Sequence, residues 1–358
     1  MKAPERVLKA VNHEEPDKVP AFESAFTNNT IMRHYGMTDV GRGYKIIYDF
    51  FHRVGIDLVV SIVSLFPRKF FKGGFVDEYG RIIKYEYYKD GTRIGGYYGG
   101  QFKTFEEYES WEQPDPYLNT RLDQFKLGRK TQNELKDKVF SIPATGALME
   151  CTWEGFGIES FSRLMGKSKN AKKVFDDRGK FTLEMVKILA ENDAQMVLLW
   201  DDYGYKNGLF MSPQNYRNYV YPWLKQICNA AHKRDCKIML HSDGDLLEIF
   251  EDLISCGVDV INPVEPSTAN PDYDIFKLNE KFGDQITFSG NLSPIMLAMG
   301  EISEIEAYAK RLIRELGPNG GYIFGSGHSI NPAVTVDRFE AMQNIRRKYG
   351  NYPINVPN

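Results

Sequence analysis

Lys237–Asn262, KIMLHSDGDLLEIFEDLISCGVDVIN, contains a complete strand–helix–strand unit, and its reading decides the fold. KIML is a short apolar run without polar alternation, as expected of a strand buried on both faces of a parallel sheet. Asp245–Ser255 follows as an amphipathic helix with Leu246, Ile249, Phe250 and Leu253 along one face, and Gly257 marks its end. Val258–Asn262 (VDVIN) then starts the next strand. Working outward, similar runs occur at Val19–Glu23, Asp57–Ile62, Val139–Ala144, Met196–Trp200, Ile286–Ser289 and Tyr322–Phe324, separated by helical stretches such as Ser212–Arg234. Eight such strands predict a TIM (β/α)8 barrel formed by residues 1–358 as a single domain. An open Rossmann sheet is disfavoured because no GxGxxG follows an early strand. One stretch departs from the pattern. Residues 75–101 alternate Ile, Tyr and Lys around turn signals at Tyr79–Arg81 and Asp90–Gly91, predicting an antiparallel β insertion after strand 2 that caps part of the barrel mouth. Its tyrosines read first as those of a plain β-meander, with a lining of the substrate entrance as the alternative.

Composition excludes several function classes. The 45 basic and 48 acidic side chains give a net charge of −3 and form no basic stripe, which argues against nucleic acid as a partner. No apolar run approaches the ~20 residues of a membrane span, and the start, MKAPERVLKAVNHEEPDKVP, reads as a charged amphipathic helix rather than a signal peptide. Cys151, Cys228, Cys236 and Cys256 lack CxxC spacing and are expected to be buried free thiols. A cytoplasmic location is the expectation. An aromatic content of 13% makes a ring-lined pocket plausible.

In such a barrel the chemistry lies just past the carboxyl ends of the strands. Those positions offer Glu23, Phe26 and Asn28 after strand 1, Asp201–Asp202 after strand 4, and His241–Ser242–Asp243–Gly244 after strand 5. Strands 6, 7 and 8 contribute Asn262 and Glu265, Asn291, and His328. His241, Asp243 and His328 supply two imidazoles and a carboxylate, a suitable set for a catalytic Zn2+ acting on an oxygen leaving group. Without metal the same groups would serve as general acids, and Asp243 has the alternative role of helix cap. Adjacent side chains diverge, so one of Asp201 and Asp202 is expected to face the mouth and the other to cap or pair. Glu265, between prolines in NPVEP, is a further ligand, a partner to a histidine or a substrate acceptor. The catalytic candidates are Asp202, Glu265 and His328; the substrate-binding candidates are Glu23, Phe26, Asn28 and Asn291.

RVLKAVNHEEPDKVP, DDYG at Asp201–Gly204, SPQNYRNYVYPWLKQI at Ser212–Ile227, FGDQITFSGNLSP, GGYIFGSGHSINPAVTVDRFEAM and RKYGNYP, together with the 241–266 segment, resemble the uroporphyrinogen decarboxylase superfamily across nearly the whole chain. That superfamily includes porphyrinogen decarboxylases and cobalamin-linked methyltransferases. The decarboxylases carry an arginine-rich segment after strand 1; here AFESAFTNNTIMRHYG has no arginine before Arg33. The thiol-methylating branch carries His-x-Cys after strand 5 and a later Cys, and the matching positions are His241, Asp243 and His328. The resemblance thus implies a zinc-assisted methyltransferase moving a methyl group from a methylated small molecule, preferably an aryl methyl ether, to the cobalt of a separate corrinoid protein. Cobalamin would come with that partner, because the chain has no D-x-H-x-x-G run. Homodimers are common in the superfamily. The alternative is decarboxylation of a tetrapyrrole or other polycarboxylate.

Overall fold

The computed structural model describes residues 1–37 and 43–357. Seven parallel strands follow one another around a curled sheet in the order β1 (Leu58–Ile62), β6 (Phe140–Gly146), β7 (Met196–Trp200), β10 (Lys237–His241), β11 (Val260–Asn262), β12 (Thr287–Leu292) and β13 (Tyr322–Ser326). The ring is closed by the segment predicted as the first strand. Ala21 bridges Phe324 and Phe22 bridges Leu58, both in parallel, so Val19–Glu23 occupies the eighth position of a TIM-type barrel as two isolated bridges. The physical reason is local. Pro20 has no N–H to give, and the Ala21 amide is taken by the Asp57 carboxylate at 2.9 Å, so a regular ladder cannot form.

Side chains alternate across the barrel wall. Met196 and Leu198 point into an inner cluster with Phe22, Leu58, Ile142, Met239, Val260 and Ile323, whereas Val197 and Leu199 belong to the outer core under the helices. The N-terminal helix Ala3–Val11 plugs the amino end of the barrel with Ala3, Val7 and Val11. Its Arg6 is anchored to Asp57 at 2.7 Å.

The insertion is a four-stranded antiparallel sheet, β2 (Pro67–Phe71), β3 (Gly74–Asp77), β4 (Arg81–Tyr87) and β5 (Arg93–Gly100). It therefore begins earlier than residue 75. The missed strand, PRKFF, is an edge strand without polar alternation, and a register shift between Pro67 and Lys69 weakens its pattern further. Ser212–Arg234 is likewise broken: Tyr216–Val220 forms a wide π turn ahead of Tyr221–His232, because Pro222 supplies no N–H to the preceding turn. All four cysteines are buried and unpaired. No helix among the described residues is long and apolar enough to cross a membrane.

Candidate active site

The segment after β10 is held in place from two sides. Ser242 Oγ accepts the Tyr203 amide at 2.8 Å, and Glu265 accepts the Gly244 amide at 2.7 Å. Gly244 has φ +92°, and a Cβ there would fall 2.3 Å from the backbone of Gly204 and Tyr205 (β8, Gly204–Tyr205). Only glycine satisfies both demands. Gly244→Ala is expected to cost at least ~1–2 kcal/mol from backbone strain alone and to push the two loops apart; an unchanged thermal midpoint would refute this.

Within this frame the Asp201–Asp202 pair divides its work. Asp201 is fully buried and accepts the amides of Leu148, Met149 and Glu150, capping the helix Glu150–Phe156. Burial nevertheless raises its pKa to about 7. Asp202 faces the mouth, where Oδ1 accepts the Asp243 amide at 2.8 Å. Burial, followed by the charges of Glu150 and Asp243, holds its pKa well above the usual carboxylate range.

His241 is oriented by Asn262. The Asn262 amide nitrogen donates to the Ser289 carbonyl at 3.3 Å and to its hydroxyl at 3.1 Å, leaving Oδ1 to accept from His241 Nδ1 at 2.8 Å. The proton is thereby held on Nδ1, and Nε2 presents its lone pair to the mouth. Nε2 lies 4.0 Å from Asp243 Oδ1, a buried oxygen with no hydrogen-bond partner. His328 Nε2 lies 3.2 Å from the other oxygen, Oδ2. Burial pushes the Asp243 pKa up, but the hydrogen bond from His328, with the His241 imidazole close by, outweighs it and leaves it below its ordinary value. The same Asp243 contact raises the pKa of His328. The cap of the following turn is Asp245, whose Oδ1 accepts the Leu247 amide at 3.0 Å, so Asp243 is not spent on that role.

Ligand atoms of Asp202, His241 and Asp243 all lie within 4.8 Å of one another. The sequence reading placed His328 in this set instead of Asp202. His328 stands on the opposite side of Asp243, a half-exposed partner to the trio. Glu265 supports the loop through Gly244 and also accepts the Ser267 hydroxyl.

The other candidates fall outside the cluster. Asn28 is fully buried, caps the helix Asn29–His34 through the Ile31 amide, and donates to the carbonyls of Asn331 and Val334. Asn291 donates to the Val264 carbonyl and accepts from the Tyr308 hydroxyl. Phe26 packs edge-on against Phe50 and Phe339. Glu23 is only 4% exposed and accepts from the amide and hydroxyl of Ser326. Residue type and strand-end position do not distinguish these supports from ligands.

Sequence reasoning also missed an acidic group beside Asp202. Arg81, in the insertion, donates to Asp77 at 2.6 Å, Glu150 at 3.1 Å and Glu154 at 3.0 Å. Burial, then Glu150, raises the Glu154 pKa to about 8. The available signal was two glutamates four residues apart just past strand 3, in ECTWEGF.

Known proteins resemble this chain in two ways. By fold, a methyltransferase from Methanosarcina mazei superposes with a TM-score of 0.72 over 98% of this chain and 99% of that one, at 18% identity. By sequence, the uroporphyrinogen decarboxylase of Schizosaccharomyces pombe is 29% identical over 167 residues, 44% of this chain and 43% of that protein. The Thioalkalivibrio sulfidiphilus enzyme of the same name is 23% identical over 259 residues, 66% and 67% of the two chains. The chain thus spans about two fifths to two thirds of the length of these curated relatives. A family model described as Uroporphyrinogen decarboxylase (URO-D) matches residues 88–349, from the insertion through the last strand and the helix that follows it. The chain belongs to the URO-D family.

Proposed function

We propose that this protein is the substrate-side component of a corrinoid-dependent methyltransferase. It would take a methyl group from a methylated small molecule, an aryl methyl ether by preference, for delivery to the cobalt of a separate corrinoid protein. The observation that carries the reading is the Asp202–His241–Asp243 trio, with an unpartnered buried oxygen on Asp243 and a lone pair fixed on His241 Nε2. One imidazole and two carboxylates, with room for a fourth ligand, fit a catalytic Zn2+. When bound, such an ion supplies Lewis acidity to an oxygen that becomes negative as its methyl group leaves.

The chain's own residues supply the rest. Asn262 fixes the tautomer of His241, and Glu265 holds the 241–244 loop through the Gly244 amide. His328, beside Asp243 and half-exposed, can pass its Nε2 proton to the departing oxygen. Asp201 keeps the helix Glu150–Phe156 fixed against the mouth. Hard oxygen and imidazole donors favour an oxygen leaving group over a thiol.

Decarboxylation of a polycarboxylate is the second reading, favoured by the names of the relatives. The electrostatics oppose it. Asp243, Glu265 and Glu150 crowd this region, and Arg81 is committed to three carboxylates. A polyanion would be buried there without partners.

Metal analysis and turnover test the proposal together. The purified protein should hold close to one zinc per chain, Asp243→Ala less than about a tenth, and formation of methylcobalamin from 2-methoxyphenol and cob(I)alamin should fall more than ~100-fold, beyond the loss typical of an outer-sphere change. Zinc below a tenth of an equivalent in both proteins, or turnover of uroporphyrinogen by the isolated chain, would overturn it.

A further inference from the structure

Four aromatic rings form a wall, in the order Tyr97, Trp153, Phe210 and Tyr205, whose ends contact Glu154 and Gly244. Trp153, on the helix Glu150–Phe156, stacks on Phe210 with ring centroids 4.7 Å apart and planes at 28°. Tyr205 adjoins Phe210 at 5.6 Å, and Tyr97 of β5 meets Trp153 edge-on at 5.3 Å. The wall is tied to the reactive cluster at both ends. The Tyr97 hydroxyl donates to the Glu154 carbonyl at 3.1 Å, and Glu154 is one of the acids acting on Asp202. At the other end, the backbone of Tyr205 rides on Gly244, next to Asp243.

Ordinary packing would cover such rings and satisfy their polar atoms. Here Tyr205 and Tyr97 remain 47% and 37% exposed, and the Trp153 indole nitrogen is buried with no acceptor. Two other rings of the insertion carry cations, Lys84 over Tyr98 at 3.1 Å and Arg93 over Tyr85 at 4.4 Å. No described cation lies over the four rings of the wall.

We infer that this wall is the subsite for the aromatic ring of the methyl donor, and that it selects aryl over alkyl methyl ethers. The inference rests on the methyl-transfer reading for the identity of the donor. A planar donor ring adds to the offset and edge-on series already present, because faces and edges of aromatic rings attract. Asp243 and Glu150 disfavour an anionic ligand and Arg81 is already committed to three carboxylates, which leaves a neutral arene as the compatible occupant. The wall then determines specificity, while bond breaking belongs to the trio and His328.

Calorimetric titration of the zinc-loaded protein with 2-methoxyphenol, and separately with 2-methoxyethanol, tests this. The arene should bind the wild type more tightly. Trp153→Leu and Phe210→Leu should each weaken it about tenfold, with less than a twofold change for 2-methoxyethanol, and Trp153→Phe should restore most of the loss. Tyr205→Leu alters an exposed ring and guards against a folding failure in the buried variants; it should weaken the arene several-fold at an unchanged thermal midpoint. Equal weakening of both ligands, unchanged arene affinity in all variants, or no arene preference in the wild type overturns the inference. Arene binding that depends on the wall, without methylcobalamin formation, would sink the methyl-transfer reading and leave the subsite standing. Turnover of 2-methoxyphenol unaffected by all three leucine variants would do the reverse.

Discussion

Glu78→Gln is expected to destabilise the protein by about 3–5 kcal/mol, the scale for breaking a fully buried ion pair. Glu78 lies in the turn between β3 and β4, and its carboxylate grips Arg121 of the helix Asn119–Glu134 at 3.0 and 2.5 Å. Both side chains are 2% exposed. The Arg121 guanidinium also donates to the carbonyls of Val63 and Asp115 and lies 4.9 Å from the Phe181 ring centre. Glutamine would keep one acceptor oxygen but no charge, leaving that cation buried without its neutralising partner. Arg121→Met should cost a similar amount, and the double variant clearly less than the sum, because each single change strands the other partner. Urea denaturation of the three variants gives the numbers. Strict additivity would show that the pair does not couple the insertion to the barrel.

The second large effect concerns pH. Glu23, buried at the seam between the N-terminal segment and β13, has its pKa raised to about 8 by desolvation, against partial relief from the Ser326 hydroxyl and amide and from Arg346. Its unfolded value is near 4.5. Between these values the folded protein holds a proton that the unfolded chain has released. The stabilisation is therefore complete below pH 4.5, and stability falls as pH rises toward 8. The cumulative loss from this one group is on the order of a few kcal/mol. Glu23→Gln mimics the protonated acid and removes the penalty. The thermal midpoint of the variant should exceed that of the wild type by a margin that widens from pH 5 to pH 8. Asp201 and Glu154 titrate in the same range but are present in both proteins, so the difference isolates Glu23. Parallel midpoint curves would refute the assignment.

The barrel was legible because its strands are buried on both faces and so appear as unbroken apolar runs; Met196–Trp200 matches residue for residue. The weak point was Val19–Glu23, where Pro20 and the Asp57 carboxylate interrupt a ladder that composition alone suggests. Strand β2 was missed because PRKFF carries no alternation. At the site, strand-end position located His241, Asp243 and His328 together, and the divergence of neighbouring side chains separated Asp201 from Asp202. It could not tell which of Asp202 and His328 shares a face with His241, since that depends on how the loops after β7 and β13 turn. Nor could it tell that Asn28 is consumed by backbone partners and Asn291 by the Val264 carbonyl and the Tyr308 hydroxyl. Arg81 and its three carboxylates depend on contacts between the insertion and the helix after β6, to which no local pattern points.

The seam has a further consequence, in time rather than in space. Glu23 finds its partner in Ser326, 303 residues later in the chain, and Phe22 likewise bonds to Phe324. At translation rates of about 5–20 residues per second, the N-terminal segment must wait roughly 15–60 s on the ribosome before its second neighbour is made. Throughout that interval the curled sheet has two open edges, at Val19–Glu23 and at the strand most recently completed, and only Leu58 is available to Phe22. Closure of the barrel thus waits until Tyr322–Ser326 has been made, and a nascent chain halted before Tyr322 would present those edges to any neighbour.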